Sequence, residues 1–147
     1  MATTRVPIAE GVFTWPSEEP RLVGGRCPSC GVVTFPHQAG CPRCGESMEP
    51  TELARRGTLW SFTTQGFLPK WPYTGPETDE TFEPFTLGYV ELPGEVMVES
   101  RLTETDPARL RIGMAVELVI VPFRVDEDGR EVVTFAFAPV ERGEEQP

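Results

Sequence analysis

The sequence predicts a mainly β chain in which a four-cysteine zinc ribbon leads into a five-stranded OB-fold barrel. Three observations carry that prediction. All four cysteines fall in two CPxCG units separated by nine residues. From Gly57 onward, short β-patterned runs alternate with turn-forming residues. A short helical signal lies between the third and fourth of these runs, which gives the strand-strand-strand-helix-strand-strand order of an OB-fold. The implied organisation is an N-terminal arm over 1–20, the ribbon over 21–56, the barrel over 57–140 and a flexible acidic tail over 141–147.

The ribbon rests on Cys27-Pro28-Ser29-Cys30-Gly31 and Cys41-Pro42-Arg43-Cys44-Gly45. Each unit is a tight turn that aims two thiolates at one point, and the glycine lets backbone N–H groups point at sulfur. Four thiolates about 2.3 Å from one ion form a closed tetrahedral site, so Cys27, Cys30, Cys41 and Cys44 are the expected ligands of a structural zinc. A mononuclear iron in the same cage is an alternative, as are two disulfides, although a reducing compartment disfavours the latter. With no open coordination position, the ion holds together a module too small to build its own core. His37, the lone histidine, lies between the two units. It is superfluous as a fifth ligand and reads as a loop-packing or solvent-facing residue.

The barrel begins with Gly57 to Gly66, where Trp60, Phe62 and Thr64 alternate with Leu59, Ser61 and Thr63. The second run, Phe85 to Leu92, ends in a Pro93-Gly94 turn. Glu95 to Leu102 is the third, with Val96, Val98 and Leu102 on one face and Glu95, Glu99 and Arg101 on the other. Asp106 is placed to cap a helix of one or two turns, Pro107 to start it and Gly113 to end it. Met114 to Phe123 and Glu131 to Val140 supply the fourth and fifth runs, joined by the Asp126-Glu127-Asp128-Gly129 hairpin loop. Between the first two runs lies a connection longer than compact domains ordinarily use, a length usually associated with function or disorder. Its first part carries Phe67, Lys70, Trp71 and Tyr73 among prolines, and its second part carries Glu77, Asp79, Glu80 and Glu83. The aromatic residues either cap the barrel mouth or touch a partner or ligand.

The formal net charge is −10. Residues 21–56 hold five basic and three acidic side chains, whereas 57–140 hold six basic and fourteen acidic ones. OB-folds often bind single-stranded nucleic acid through stacking aromatics, and Trp60, Phe62 and Phe135 would serve. That alternative reading conflicts with the acidic excess, because phosphate must be neutralised by Lys and Arg. No run of about 18 apolar residues suggests a transmembrane helix. Met1 to Gly11 lacks a basic segment followed by an apolar one, so the expected location is cytoplasmic. Catalytic machinery is sparse. Every cysteine is committed to metal, the lone histidine sits in the ribbon, no Gly-rich phosphate loop occurs and the carboxylates fall mostly on outer faces or turns. An autonomous hydrolase or lyase is therefore a poor fit.

In this order the motifs resemble the acyl-CoA-associated OB-fold proteins with an N-terminal rubredoxin-like zinc ribbon. The resemblance covers roughly residues 20–140. It rests on Arg21-Leu22 ahead of the first CPxCG unit, Phe35-Pro36 between the two, Arg56 to Thr63 opening the barrel and Ile112 to Leu118 opening strand four. It implies a non-catalytic accessory subunit that binds a thiolase-fold enzyme, or a hotdog-fold hydratase, acting on CoA thioesters in lipid metabolism. Such subunits bridge two enzymes or complete an acyl-CoA site, as in a thiolase-like aldolase of steroid degradation. The catalytic residues would then belong to the partner of a hetero-oligomer, with no nucleic acid or membrane involved. Phe67, Lys70, Trp71 and Tyr73 become candidate contacts to that partner or to CoA, with Lys70 meeting a CoA phosphate as a point charge. The resemblance also implies a longer helical arm before the ribbon, whereas Met1 to Pro20 is short and has little helical period.

Overall fold

The computed structural model describes residues 4–140. It contains nine strands: β1 (Arg5–Pro7), β2 (Val23–Arg26), β3 (Val33–Thr34), β4 (Glu49–Glu52), β5 (Arg56–Gln65), β6 (Phe85–Glu91), β7 (Met97–Leu102), β8 (Ala115–Val125) and β9 (Glu131–Pro139). Strands β3, β2 and β4 form the ribbon sheet in that order. The barrel runs β5, β6, β7, β9 and β8, and β8 returns to pair with β5. The closing contact between β7 and β9 is parallel, at Leu102 and Phe137, whereas the other barrel pairings are antiparallel. Closure removes most of the sheet edge.

The short arm is not helical. Its β1 lies parallel to the first residues of β9, from Arg5 opposite Glu131 to Pro7 opposite Val133. Phe13 bridges to Leu22 and is buried, with Trp15 edge-on against its ring at 6.1 Å. Apolar side chains without helical period here serve as strand and plug.

Alternation holds in β7, where Val98, Ser100 and Leu102 are buried and Met97, Glu99 and Arg101 lie on the other face. It fails in β5. Leu59 pairs with Val90 and is fully buried, but a bulge before Ser61 leaves Trp60 exposed and returns Phe62 to the core side. One extra residue in a strand re-aims the side chain it carries. A second bulge in β8, between Pro122 and Arg124, does the same for Phe123.

The helix expected between strands three and four is only a 3-10 turn, Pro107–Arg109. Its cap is as anticipated: the Asp106 side chain accepts from the Ala108 N–H at 2.9 Å, with Pro107 following. Leu110 is buried and its backbone is extended, so the chain leaves helical geometry after one turn to feed β8. The Asp-Gly hairpin forms as read, with Gly129 at φ +78° and the Asp126 carboxylate accepting from the N–H groups of Asp128 and Arg130. The tail expected over 141–147 lies outside the described residues.

Ribbon and barrel share one core. Leu22 and Leu53 from the ribbon and Phe13 from the arm join Leu59, Val90, Val116, Leu118 and Phe137 in a single cluster. Phe35 stands edge-on to Phe135 of β9 at 5.7 Å. Burying a large apolar side chain is worth about 1.5–3 kcal/mol, so this seam holds the two modules in a defined relation.

Candidate functional site

The two CPxCG turns are near copies. In the first, the Cys27 N–H donates to the Val32 carbonyl and the Gly31 N–H to the Cys27 carbonyl, both at 2.9 Å. In the second, the Cys41 N–H donates to Glu46 at 2.8 Å and the Gly45 N–H to Cys41 at 2.9 Å. Gly31 and Gly45 adopt φ +79° and +81°, a region that side-chain-bearing residues rarely occupy. The four Sγ atoms lie within 4.8 Å of one another, with Cys27 to Cys44 and Cys30 to Cys41 each at 3.5 Å. Tetrahedral bonds of about 2.3 Å require sulfur–sulfur edges of about 3.8 Å, so shifts of about an ångström or less bring the four sulfurs onto a zinc ion.

The electrostatics fit as well. The N–H groups of Cys44 and Arg43 point at the Cys41 sulfur and pull that thiol down to about 6. The Cys30 N–H, with that of Ser29, lowers Cys27. Backbone donors thus favour the thiolate at Cys27 and Cys41, whereas Cys30 and Cys44 are raised by burial and by the sulfurs crowded against them, a cost that a bound cation relieves. Behind the sulfurs the only buried apolar cluster comprises Cys27, Cys41 and Met48, among the described residues. His37 is exposed, its Nε2 lies 3.1 Å from the Met48 carbonyl, and its ring packs over Gly25. It braces the ribbon and does not face the sulfurs.

The long loop, 66–84, has a fixed base and a free crest. Arg101 of β7 stacks its guanidinium 3.6 Å over the Phe85 ring and donates to the Tyr73 hydroxyl at 3.1 Å. That hydroxyl donates to Glu77 at 2.9 Å, and the Tyr73 ring stands edge-on to the re-aimed Phe123 at 5.8 Å. Burial raises the Tyr73 phenol above its ordinary value, keeping it a neutral donor. A Cβ at Gly75 would meet the Tyr73 ring and the Glu77 carboxylate, so a larger residue there displaces this pair. Beyond this anchor, Phe67 is 70% and Trp71 88% exposed, and Lys70 is exposed beside them. The structure therefore separates the four aromatic-loop residues singled out by sequence: Tyr73 is engaged within the fold, and Phe67, Lys70 and Trp71 face outward. The Arg101–Tyr73–Phe123 clamp had no signal in the sequence, since its members are distant in the chain and meet only through a bulge.

Residues 15–49 match the family model described as ChsH2, rubredoxin-like zinc ribbon domain, and residues 50–121 match ChsH2, C-terminal OB-fold domain. The chain belongs to the ChsH2/DUF35 family. Among its relatives, the benzoylsuccinyl-CoA thiolase subunit BbsA of Thauera aromatica is 33% identical, over 82% of this chain and 78% of its own. A DUF35 domain-containing scaffold protein of Pyrococcus furiosus is 31% identical, over 86% and 89%. A solved Ltp2-ChsH2(DUF35) aldolase superposes with a TM-score of 0.59 at 27% identity, covering 81% of this chain and 84% of that one. The ribbon-then-barrel order of the family is thus the order found here, with the four cysteines inside the matched ribbon. Among the described residues no helix is long and apolar enough to cross a membrane.

Proposed function

We propose that this chain is a non-catalytic partner subunit of a thiolase-fold enzyme acting on CoA thioesters, and that it completes or shields the partner's acyl-CoA site. The observation that carries the reading is the anchored loop. An 88% exposed tryptophan and a 70% exposed phenylalanine are held out from a clamped base, on a family scaffold whose relatives are named as a thiolase subunit, a scaffold protein and an aldolase component. Exposed aromatics on a preorganised loop gain contact area at small entropic cost. In this reading Phe67 and Trp71 touch the partner or the acyl chain, Lys70 meets a CoA phosphate, and Tyr73 positions all three. The zinc, held by Cys27, Cys30, Cys41 and Cys44, is structural and takes no part in the chemistry. An aldolase that shortens steroid side chains is the specific assembly favoured. Single-stranded nucleic acid is the weaker reading, because Glu91 and Glu99 stand on the barrel face where bases would stack.

The test is reconstitution. The purified chain alone shows no turnover of acyl-CoA substrates, and addition of a thiolase-fold subunit encoded nearby raises that subunit's activity or stability. Trp71→Ala with Phe67→Ala lowers turnover of the complex. Robust activity of the lone chain would refute the reading, as would a complex indifferent to both substitutions.

A further inference from the structure

The outer face of β5, β6 and β7 carries an apolar band that the loop does not cover. Strand register fixes its layout. Ser61, Tyr89 and Glu99 form one row across the three strands, and Thr58, Glu91 and Met97 form the next on the same face. The bulge inserts Trp60 between these rows on β5. The Gly113 N–H donates to the Leu59 carbonyl at 2.7 Å, so the turn that carries Ile112 and leads into β8 adjoins β5 next to Trp60 in the chain. Ile112, Trp60, Tyr89 and Met97 are 69%, 57%, 46% and 38% exposed. Isolated apolar side chains on a surface need no explanation, but a band spanning four neighbouring segments marks an interaction site.

Charge and shape narrow the occupant. Glu91 and Glu99 flank the band, and neither has an ion-pair or hydrogen-bonding partner for its carboxylate among the described residues. Beside Tyr89 a groove of ≈ 200 Å³ is lined by Ser61, Thr63, Leu87 and Glu99. It is mostly apolar, offers room for one large side chain, and has an aromatic ring and a carboxylate at its wall. That combination suits a guanidinium, which stacks on the ring and pairs with the acid. Phosphate-bearing partners are repelled by the same carboxylates.

We propose that this band is the docking surface for the thiolase-fold partner, which presents an apolar patch and an arginine that enters the groove against Glu99 and Tyr89. The proposal rests on the partner reading above and deepens it. The band fixes the body of the subunit, and the loop at the far end of the same barrel face extends toward the acyl-CoA site.

The experiment measures the affinity of the full-length, zinc-loaded chain for the thiolase-fold subunit encoded nearest to it, by calorimetry. Trp60→Glu and Ile112→Glu each weaken association by about 30-fold or more, the hot-spot threshold. Glu99→Lys weakens it and flattens the salt dependence of the association rate. Val125→Glu, on an equally exposed residue outside the band, leaves affinity unchanged. All four substitutions are exposed, so zinc content and Tm stay at wild-type values and report that folding is intact. If wild type binds and the band variants bind equally well, the docking surface is overturned while the partner reading stands. Equal weakening by Val125→Glu overturns it in the same way. Should wild type fail to bind, the partner reading falls and takes the proposal with it. Sedimentation that shows the chain pairing with itself through Trp60 assigns the band to a second copy and likewise overturns it.

Discussion

Arg55 joins three parts of the molecule, and its loss should be visible in a melting curve. Its Nε donates to the Pro20 carbonyl in the arm at 3.0 Å, and its Nη2 donates to the Leu118 carbonyl in β8 at 3.0 Å. Its own carbonyl accepts the Leu118 N–H at 2.7 Å. Hydrogen bonds from a charged donor contribute about 1.5–3 kcal/mol each, and the half-buried setting places these two toward the lower end. Arg55→Ala therefore costs about 3 kcal/mol. Domains of this size lose roughly 2–4 °C per kcal/mol, so Tm falls by roughly 6–12 °C. Arg55→Lys reaches one carbonyl at most and recovers about half of that loss, because an ammonium lacks the planar fork. The assay is thermal unfolding by near-UV circular dichroism with zinc content followed in parallel. Zinc stays bound in both variants, since neither carbonyl belongs to the cysteine cage. A melting point for Arg55→Ala within about 2 °C of wild type, or a lysine variant as stable as wild type, would refute the account of a forked staple between arm, ribbon and barrel.

Two further outcomes are expected from the geometry. Cys41→Ser, or chelation, removes the metal and unfolds the two CPxCG turns, because structural zinc contributes about 10–16 kcal/mol in zinc-finger peptides and only Cys27, Cys41 and Met48 form a cluster there. Hydrogen exchange then accelerates across residues 27–48 while the barrel strands keep their protection, and retained protection of the turns without metal would sink this prediction. Asp126 is held below its ordinary carboxylate value, chiefly by the Arg130 N–H, with the Arg130 guanidinium and the Asp128 N–H adding to it. A depressed carboxylate stabilises the fold above its unfolded value and loses that contribution as pH falls through the folded one. Acidification below about pH 4 thus lowers the protection of the β8–β9 hairpin amides, taken relative to their intrinsic exchange at each pH, and Asp126→Asn abolishes that loss.

Much of the site was legible along the chain, for local reasons. The metal cage is written in two turns of five residues, where sulfur spacing and a positive-φ glycine can be read from sequence alone. The barrel strands were legible because alternation and turn residues are local as well, and β6, β7 and β9 lie close to where their patterns place them. The Asp106 cap and the Asp126 hairpin belong with them, since each depends on contacts only two to four residues apart.

The features that tertiary structure alone decided depend on register and on distant partners. Nothing local announces that β5 and β8 each carry an extra residue, yet those two bulges return Phe62 to the core side and bring Phe123 to Tyr73. A single inserted residue reverses the face of every later residue in its strand, and its position is set by which register buries the most apolar surface across the barrel. The same holds for the arm, whose short β1 finds its pairing partner, Glu131 to Val133, at the other end of the chain. The cysteine cage and the five barrel strands were thus determined by neighbours in sequence. The exposed band, the anchored loop and the seam between ribbon and barrel were decided by neighbours in space.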